Sequence, residues 1–187
     1  MARIVITEFV SLDGVMEDPG GAESFKHGGW SFQFDYGEGN QFKMDEAIAA
    51  QALLLGRVTY EGFAKAWPSM EGEFADKFNS MPKYVVSKKL EKGDWNNTTV
   101  LRGDVVDEVS KLREAPGGDI QVHGSRTLAQ ALIEHDLVDE LHLMVFPVVL
   151  GTGKRLFGDT SDKIRLRLTE TKVVGDGIAI LVYQRAA

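Results

Sequence analysis

Short apolar runs in this chain end on a glycine or small polar residue and pass directly into helical periodicity, and this constrains the fold most. Leu53-Leu54-Leu55 stops at Gly56-Arg57, and a helix-like pattern runs on to about Ala66, ahead of Trp67-Pro68. Ile120 and Val122 stop at His123-Gly124-Ser125, and Leu128, Ala131 and Leu132 then recur as one helix face. Tyr84-Val85-Val86 exits into Ser87-Lys88-Lys89. A brief apolar run bounded by turn residues reads as a strand buried on both faces. Alternation of such strands with helices builds a mainly parallel sheet with helices packed on it.

Other segments fit this alternation. Arg3 to Val10 reads as a strand ending at the Asp13-Gly14 turn, and Thr98–Leu101 and Leu141–Phe146 as two more, the last closing at Pro147. Met44, Ile48 and Ala52 lie one helical turn apart, which predicts an amphipathic helix feeding the leucine strand. Phe74 and Phe78 predict a short helix, and Asp104 is placed to cap another, with Val105, Val109 and Leu112 on its apolar face. Ile164, Leu166 and Leu168 alternate with arginines, and Val173 to Tyr183 reads as a hairpin turning at Asp176-Gly177. The expected fold class is therefore α/β: one domain over residues 1–187, with a mainly parallel sheet and a C-terminal antiparallel hairpin.

Composition narrows the function classes. A formal charge of −7 argues against a nucleic-acid or anionic-membrane surface as the main partner. The chain has no cysteine, so disulfides, thiol catalysis and cysteine metal sites are excluded. Four widely spaced histidines give no metal-ligand pattern, and no metal site is expected. No signal-like leader or membrane-length apolar segment is seen, so a cytoplasmic location is expected.

Ligands of open α/β sheets bind beyond the carboxyl ends of the strands. Those ends are Asp13-Gly14, Gly56-Arg57, Ser87-Lys88, Gly124-Ser125 and the loop after Pro147. Helix N-termini carry free N–H groups that favour anions, and Arg57 adds a fork of donors suited to phosphate. The set suits a polyanionic nucleotide, although Lys88 taken singly reads more simply as a solvated loop charge. Gly151-Thr152-Gly153-Lys154 lacks the residues a Walker or Rossmann phosphate loop requires, and no Gly-x-Ser-x-Gly elbow occurs. Residues 17–40, rich in glycine and aromatics, read as a long loop whose rings either cover a ligand or close one end of the core.

Gly56-Arg57-Val58-Thr59-Tyr60-Glu61 resembles the Gly-Arg-x-Thr-aromatic-Glu signature of the dihydrofolate reductase fold. Ser11-Leu12-Asp13-Gly14, Val122 to Leu128 and Pro147 to Gly153 are similar to the reductase domain of riboflavin biosynthesis, the RibD C-terminal type. The resemblance covers essentially the whole chain and implies a stand-alone NADPH-dependent reductase, usually dimeric, acting on a small heterocyclic or ribosylamino-pyrimidine-like substrate. It implies that Gly56, Arg57 and Thr59 hold cofactor phosphates, with Ser87 and Lys88 at the adenosine 2′-phosphate. Gly124, Ser125, Arg126 and Thr127 would form the pyrophosphate turn, and Asp13 and the loop around Trp30 would face nicotinamide and substrate. Asp13 is the expected proton supplier or polar contact, or else a turn residue. Tyr60 and Trp67 either line the substrate side or pack their helix, and Lys154 either meets a substrate phosphate or faces solvent.

Folate reductases carry a carboxylate on the helix before the Gly-Arg turn, and ungapped counting places it near Asn40. Folate reduction is then disfavoured unless Glu38, Asp45 or Glu46 takes that role. His123 replaces a glycine common in the group. A nucleotide- or flavin-binding protein without catalysis is the rival reading.

Overall fold

The computed structural model describes residues 1–186. Eight strands, β1 (Arg3–Ser11), β2 (Ala50–Gly56), β3 (Lys83–Val86), β4 (Thr98–Leu101), β5 (Asp119–Val122), β6 (Glu140–Phe146), β7 (Leu166–Val174) and β8 (Ile178–Arg185), form one sheet in the order β4-β3-β2-β5-β1-β6-β8-β7. The first six run parallel, and β8 and β7 join antiparallel beyond β6. The helices are α1 (Gly39–Ala49), α2 (Arg57–Ala66), α3 (Glu73–Ser80), α4 (Val105–Glu114) and α5 (Arg126–Glu134).

The sheet has an apolar layer on each face. On one, Ile4, Ile6, Ala52, Leu54 and Ile120 pack against Val109 of α4 and Leu128 and Leu132 of α5. On the other, Leu53, Leu55 and Val85 pack against Ala47 of α1, Tyr60 of α2 and Phe78 of α3. The three consecutive leucines are all fully buried, as a central strand covered on both faces requires. Asp104 caps α4 by accepting from the N–H groups of Val106 and Asp107.

Two expectations change. The first helix spans Gly39–Ala49, and Ala50 already opens β2. Its buried face holds Glu46 and Ala47, while Ile48 is half exposed, so the hydrophobic spacing pointed to the wrong side. The apolar strand Leu141–Phe146, which would suit a dimer contact only near an edge, lies inside the sheet between β1 and β8. The edges are β4 and β7, and β7 is exposed along both faces up to Val174.

One feature of register shapes the cleft. Both neighbours of β5 outlast it: β1 pairs with β5 only as far as Ile6–Val122, then continues beside β6 to Ser11–Phe146. β2 leaves β5 at Leu54–Val122 and runs on to Gly56. Past Val122 a slot therefore opens between β1 and β2, closed below by the turn at Gly124-Ser125.

Candidate functional site

The two glycine turns flanking this slot are joined to each other. The Gly56 N–H donates to Ser125 Oγ at 2.7 Å, and the Ser125 N–H donates to Thr59 Oγ1 at 2.9 Å. Ser125 Oγ in turn donates to the His123 carbonyl at 3.1 Å. Gly124 takes φ +53°, and a Cβ there would lie 2.7 Å from Thr59 Oγ1, so the close approach requires glycine. Ser125 then starts α5 from a left-handed conformation without a side-chain cap. The first N–H groups of α5 are thereby left for an anion.

Positive charge flanks the turns. Gly56, Val86 and Leu101 are register partners across β2, β3 and β4, so Arg57, Ser87 and Arg102 follow side by side at three adjacent strand ends. Arg57 is held by Glu61 at 2.9 Å in a partly exposed pair, an interaction worth little and easily exchanged for a phosphate. Ser87 Oγ accepts from the N–H groups of Lys89 and Leu90, which shapes the turn and leaves Lys88 exposed. Arg126 and Thr127, at the start of α5, are exposed.

The other half of the cleft is ionic and lies between α1 and the sheet. Thr7 and His142 are register partners on β1 and β6. Glu46 of α1 accepts from Thr7 Oγ1 at 3.0 Å, pairs with Lys43 Nζ at 2.6 Å and meets His142 Nδ1 at 2.5 Å. The chain of charges continues from His142 Nε2 to Glu140 at 2.9 Å and from Glu140 to Arg3 at 2.8 Å. Burial raises the Glu46 pKa, but the Lys43 charge and the His142 hydrogen bond prevail and hold it at about 2. Burial likewise opposes protonation of His142, but Glu46 and Glu140 outweigh it and raise its pKa.

His123 lies between the halves, its ring against Phe63 and Phe78. Burial drives its pKa down to about 3, so the ring is neutral. Gln121 uses its amide nitrogen on the Glu46 carbonyl at 2.6 Å, so its oxygen faces His123 Nε2 at 3.1 Å. Nε2 must therefore carry the hydrogen, and Nδ1 is left as an acceptor.

Several expected residues have other work. Trp30 is fully buried against Phe146 and donates its indole N–H to the Glu17 carbonyl, so it closes the core and cannot touch a ligand. Tyr60 is 3% exposed, and its hydroxyl accepts from the Trp95 N–H and bonds Thr98, which fixes it as a packing residue. Trp67 stacks within the cluster of Phe63, Phe74 and Phe78. Asp13 accepts from Ser11 Oγ and from the N–H groups of Leu150 and Gly151, which together hold its pKa at about 2. A carboxylate so anchored cannot supply a proton near neutrality; Asp13 ties the two loops together. Lys154 is solvent-facing, with Glu17 3.9 Å away. Asn40 is exposed and the buried α1 carboxylate is Glu46; Glu38 pairs instead with Lys172 and Asp45 with Gln41 at the surface.

Sequence reasoning missed Lys43, Thr7, His142, Gln121 and Arg102. Register across β2, β3 and β4 is the signal that would have found Arg102. Among the described residues no group of His, Asp and Glu has metal-binding geometry, and no helix is long and apolar enough to cross a membrane.

Comparison with known proteins agrees with this architecture. The chain is 30% identical over 186 residues to the uncharacterized protein YyaP of Bacillus subtilis (strain 168), an alignment covering 97% of this chain and 94% of YyaP. A putative riboflavin biosynthesis protein from Shewanella sp. PV-4 superposes with a TM-score of 0.77 at 21% identity, covering 99% of each chain. Dihydrofolate reductase from Enterococcus faecalis, solved with NADP(H) and RAB-propyl, superposes with a TM-score of 0.60 at 14% identity over 99% of this chain and 97% of that one. The fold is thus that of the dihydrofolate reductases. The model of the RibD C-terminal domain matches residues 2–180, and the chain belongs to the RibD C-terminal domain family.

Proposed function

We propose that the chain is an NADPH-dependent reductase acting on a small heterocyclic substrate of the ribosylamino-pyrimidine class. The observation that carries this reading is the joined pair of turns, Gly56 to Ser125 and Ser125 to Thr59, which presents a glycine approach and a free helix start together. A dinucleotide fits these residues. Gly124, Ser125, Arg126 and Thr127 would hold the pyrophosphate, and Arg57, Ser87, Lys88 and Arg102 the adenosine phosphate. NADPH supplies a hydride when bound.

The chain's own groups supply the rest. Reduction of a C=N or C=O carbon also needs a proton and fixed substrate geometry. Lys43 has three N–H donors, and Thr7 and Glu46 take two, which leaves one for the substrate. The neutral His123 offers an acceptor for a ring N–H. Glu46, kept ionised, favours the protonated form of His142 and holds the Lys43 ammonium group in place beside the reacting group. Its two oxygens are already occupied by Thr7, Lys43 and His142, so it offers no open face to the paired N–H groups of a pterin. This favours a substrate other than folate.

The test is NADPH oxidation with ribosylamino-pyrimidine, pterin and simple carbonyl substrates. Turnover with the pyrimidine and none with dihydrofolate is expected. NADPH binding with no substrate-dependent oxidation would establish the non-catalytic binder instead.

A further inference from the structure

Glu8 makes none of the contacts described for the two halves of the cleft. It is 7% exposed in mid-β1, two residues past the last pairing with β5 and so beside Gly124 across the slot. Its Oε1 is buried without a hydrogen-bond partner. Leaving a buried polar atom unpaired costs about 1–3 kcal/mol, so such an atom inside a cleft calls for an absent partner. The charged groups around it are few. Lys43 of α1 and the nearby Gly124 backbone N–H attract, and Glu23 of the 17–36 loop repels. Burial outweighs the two favourable contacts, and the carboxyl is raised well above its ordinary value.

Sheet order fixes what lies there. If the adenosine phosphate sits over β2, β3 and β4 and the pyrophosphate at the α5 start behind β5, the rest of the dinucleotide must extend toward β1. From β3 to β1 is three strand spacings, roughly 14 Å, a span an extended dinucleotide covers. The nicotinamide end therefore falls in the slot that Glu8 borders. A neutral carboxyl carries one O–H donor and one carbonyl acceptor, the complement of a primary amide.

We infer that Glu8 is the residue that recognises the carboxamide of the nicotinamide ring, its buried carboxyl pairing with the amide. This rests on the NADPH reading above. It makes Glu8 a cofactor-positioning residue that distinguishes the nicotinamide end of the molecule from its adenosine end.

Calorimetric titration with two ligands separates the claims: NADPH, and 2′-phospho-ADP-ribose, which lacks the nicotinamide. Glu8→Ala is expected to weaken NADPH about tenfold while leaving 2′-phospho-ADP-ribose unchanged. Glu8→Gln, which keeps a donor and an acceptor, is expected to bind NADPH like the wild type. It also answers the question should Glu8→Ala fail to fold. Wild-type affinity for NADPH should fall at high pH as Glu8 ionises, and that of Glu8→Gln should stay flat. Equal NADPH affinity in Glu8→Ala and wild type, equal loss of both ligands, or identical pH profiles in wild type and Glu8→Gln would overturn the inference. If wild-type protein binds 2′-phospho-ADP-ribose but gains nothing from the nicotinamide, Glu8 is wrong and the phosphate sites stand. If it binds neither ligand, the cofactor reading itself fails.

Discussion

Between β2 and β5 the cleft is built from backbone, and beneath α1 it is built from buried charge. In the first region, Gly56, Gly124 and the start of α5 present N–H groups, and side chains such as Thr59 and Ser125 only hold the turns in place. In the second, Lys43, Glu46, His142 and Glu140 face one another at 2.5 to 2.9 Å with little solvent. Backbone donors at a helix start suit any phosphate and need no proton balance. A buried charge cluster suits one substrate and carries a protonation state. On the proposed reading, cofactor recognition would be a property of the fold, and substrate recognition a property of a few side chains on α1, β1 and β6.

Four substitutions test that contrast. Glu46→Leu leaves Lys43 and His142 buried without their carboxylate and should cost roughly 3–5 kcal/mol, read from urea denaturation. A loss below about 1 kcal/mol would mean the cluster is effectively solvated. Gly124→Ala forces a Cβ into the left-handed region against Thr59 and should cost about 1–3 kcal/mol, with a larger proportional loss of NADPH affinity than Glu46→Leu shows. Equal losses would erase the distinction between the halves. Thr59→Val removes the acceptor of the Ser125 N–H at nearly constant volume and should cost about 1 kcal/mol, again with weaker NADPH binding. Asp13→Asn keeps a polar side chain between the loops and should change kcat by less than about threefold, since loss of a true general acid would cost about a hundredfold or more.

The charge cluster also dictates how stability varies with pH. His142 has a pKa raised above 6.5, so its contribution is complete below that value and is lost as pH climbs through the folded pKa. Glu46, depressed from 4.5 to about 2, contributes fully above 4.5 and less as pH falls toward 2. His123, depressed from 6.5 to about 3, stays neutral in the fold while the unfolded chain takes up its proton, so it destabilises the protein progressively as pH falls from 6.5 toward 3. Stability should therefore decline on both sides of near-neutral pH, more steeply in acid, where two groups act. Denaturation midpoints across pH should show the alkaline decline vanish in His142→Gln. Its persistence there would assign it to another group.

How much of this the sequence disclosed follows the same division. The parallel sheet, the C-terminal hairpin and the glycine turns were legible because apolar runs and glycines report backbone geometry directly. The α1 region was not, because its inward face carries Lys43 and Glu46 where periodicity expects Met44 and Ile48, and a buried ion cluster looks like a solvent face. Counting back from Gly56 reached Asn40, six positions beyond Glu46, because α1 runs into β2 without a loop. Trp30 and Tyr60 were left open between the ligand and the core because aromatics near a cleft look alike whether they line it or support it. Only the indole bond to Glu17 and the hydroxyl contacts to Trp95 and Thr98 tell them apart.

The central claim is that the joined turns at Gly56 and Gly124 bind the phosphates of NADPH, and calorimetric titration of NADPH into wild-type protein and Gly124→Ala tests it most directly. Saturable one-to-one binding to the wild type is expected, weakening with salt and falling at least tenfold in the variant. Absence of saturable binding to the wild type, or equal affinity in the two proteins, would contradict it.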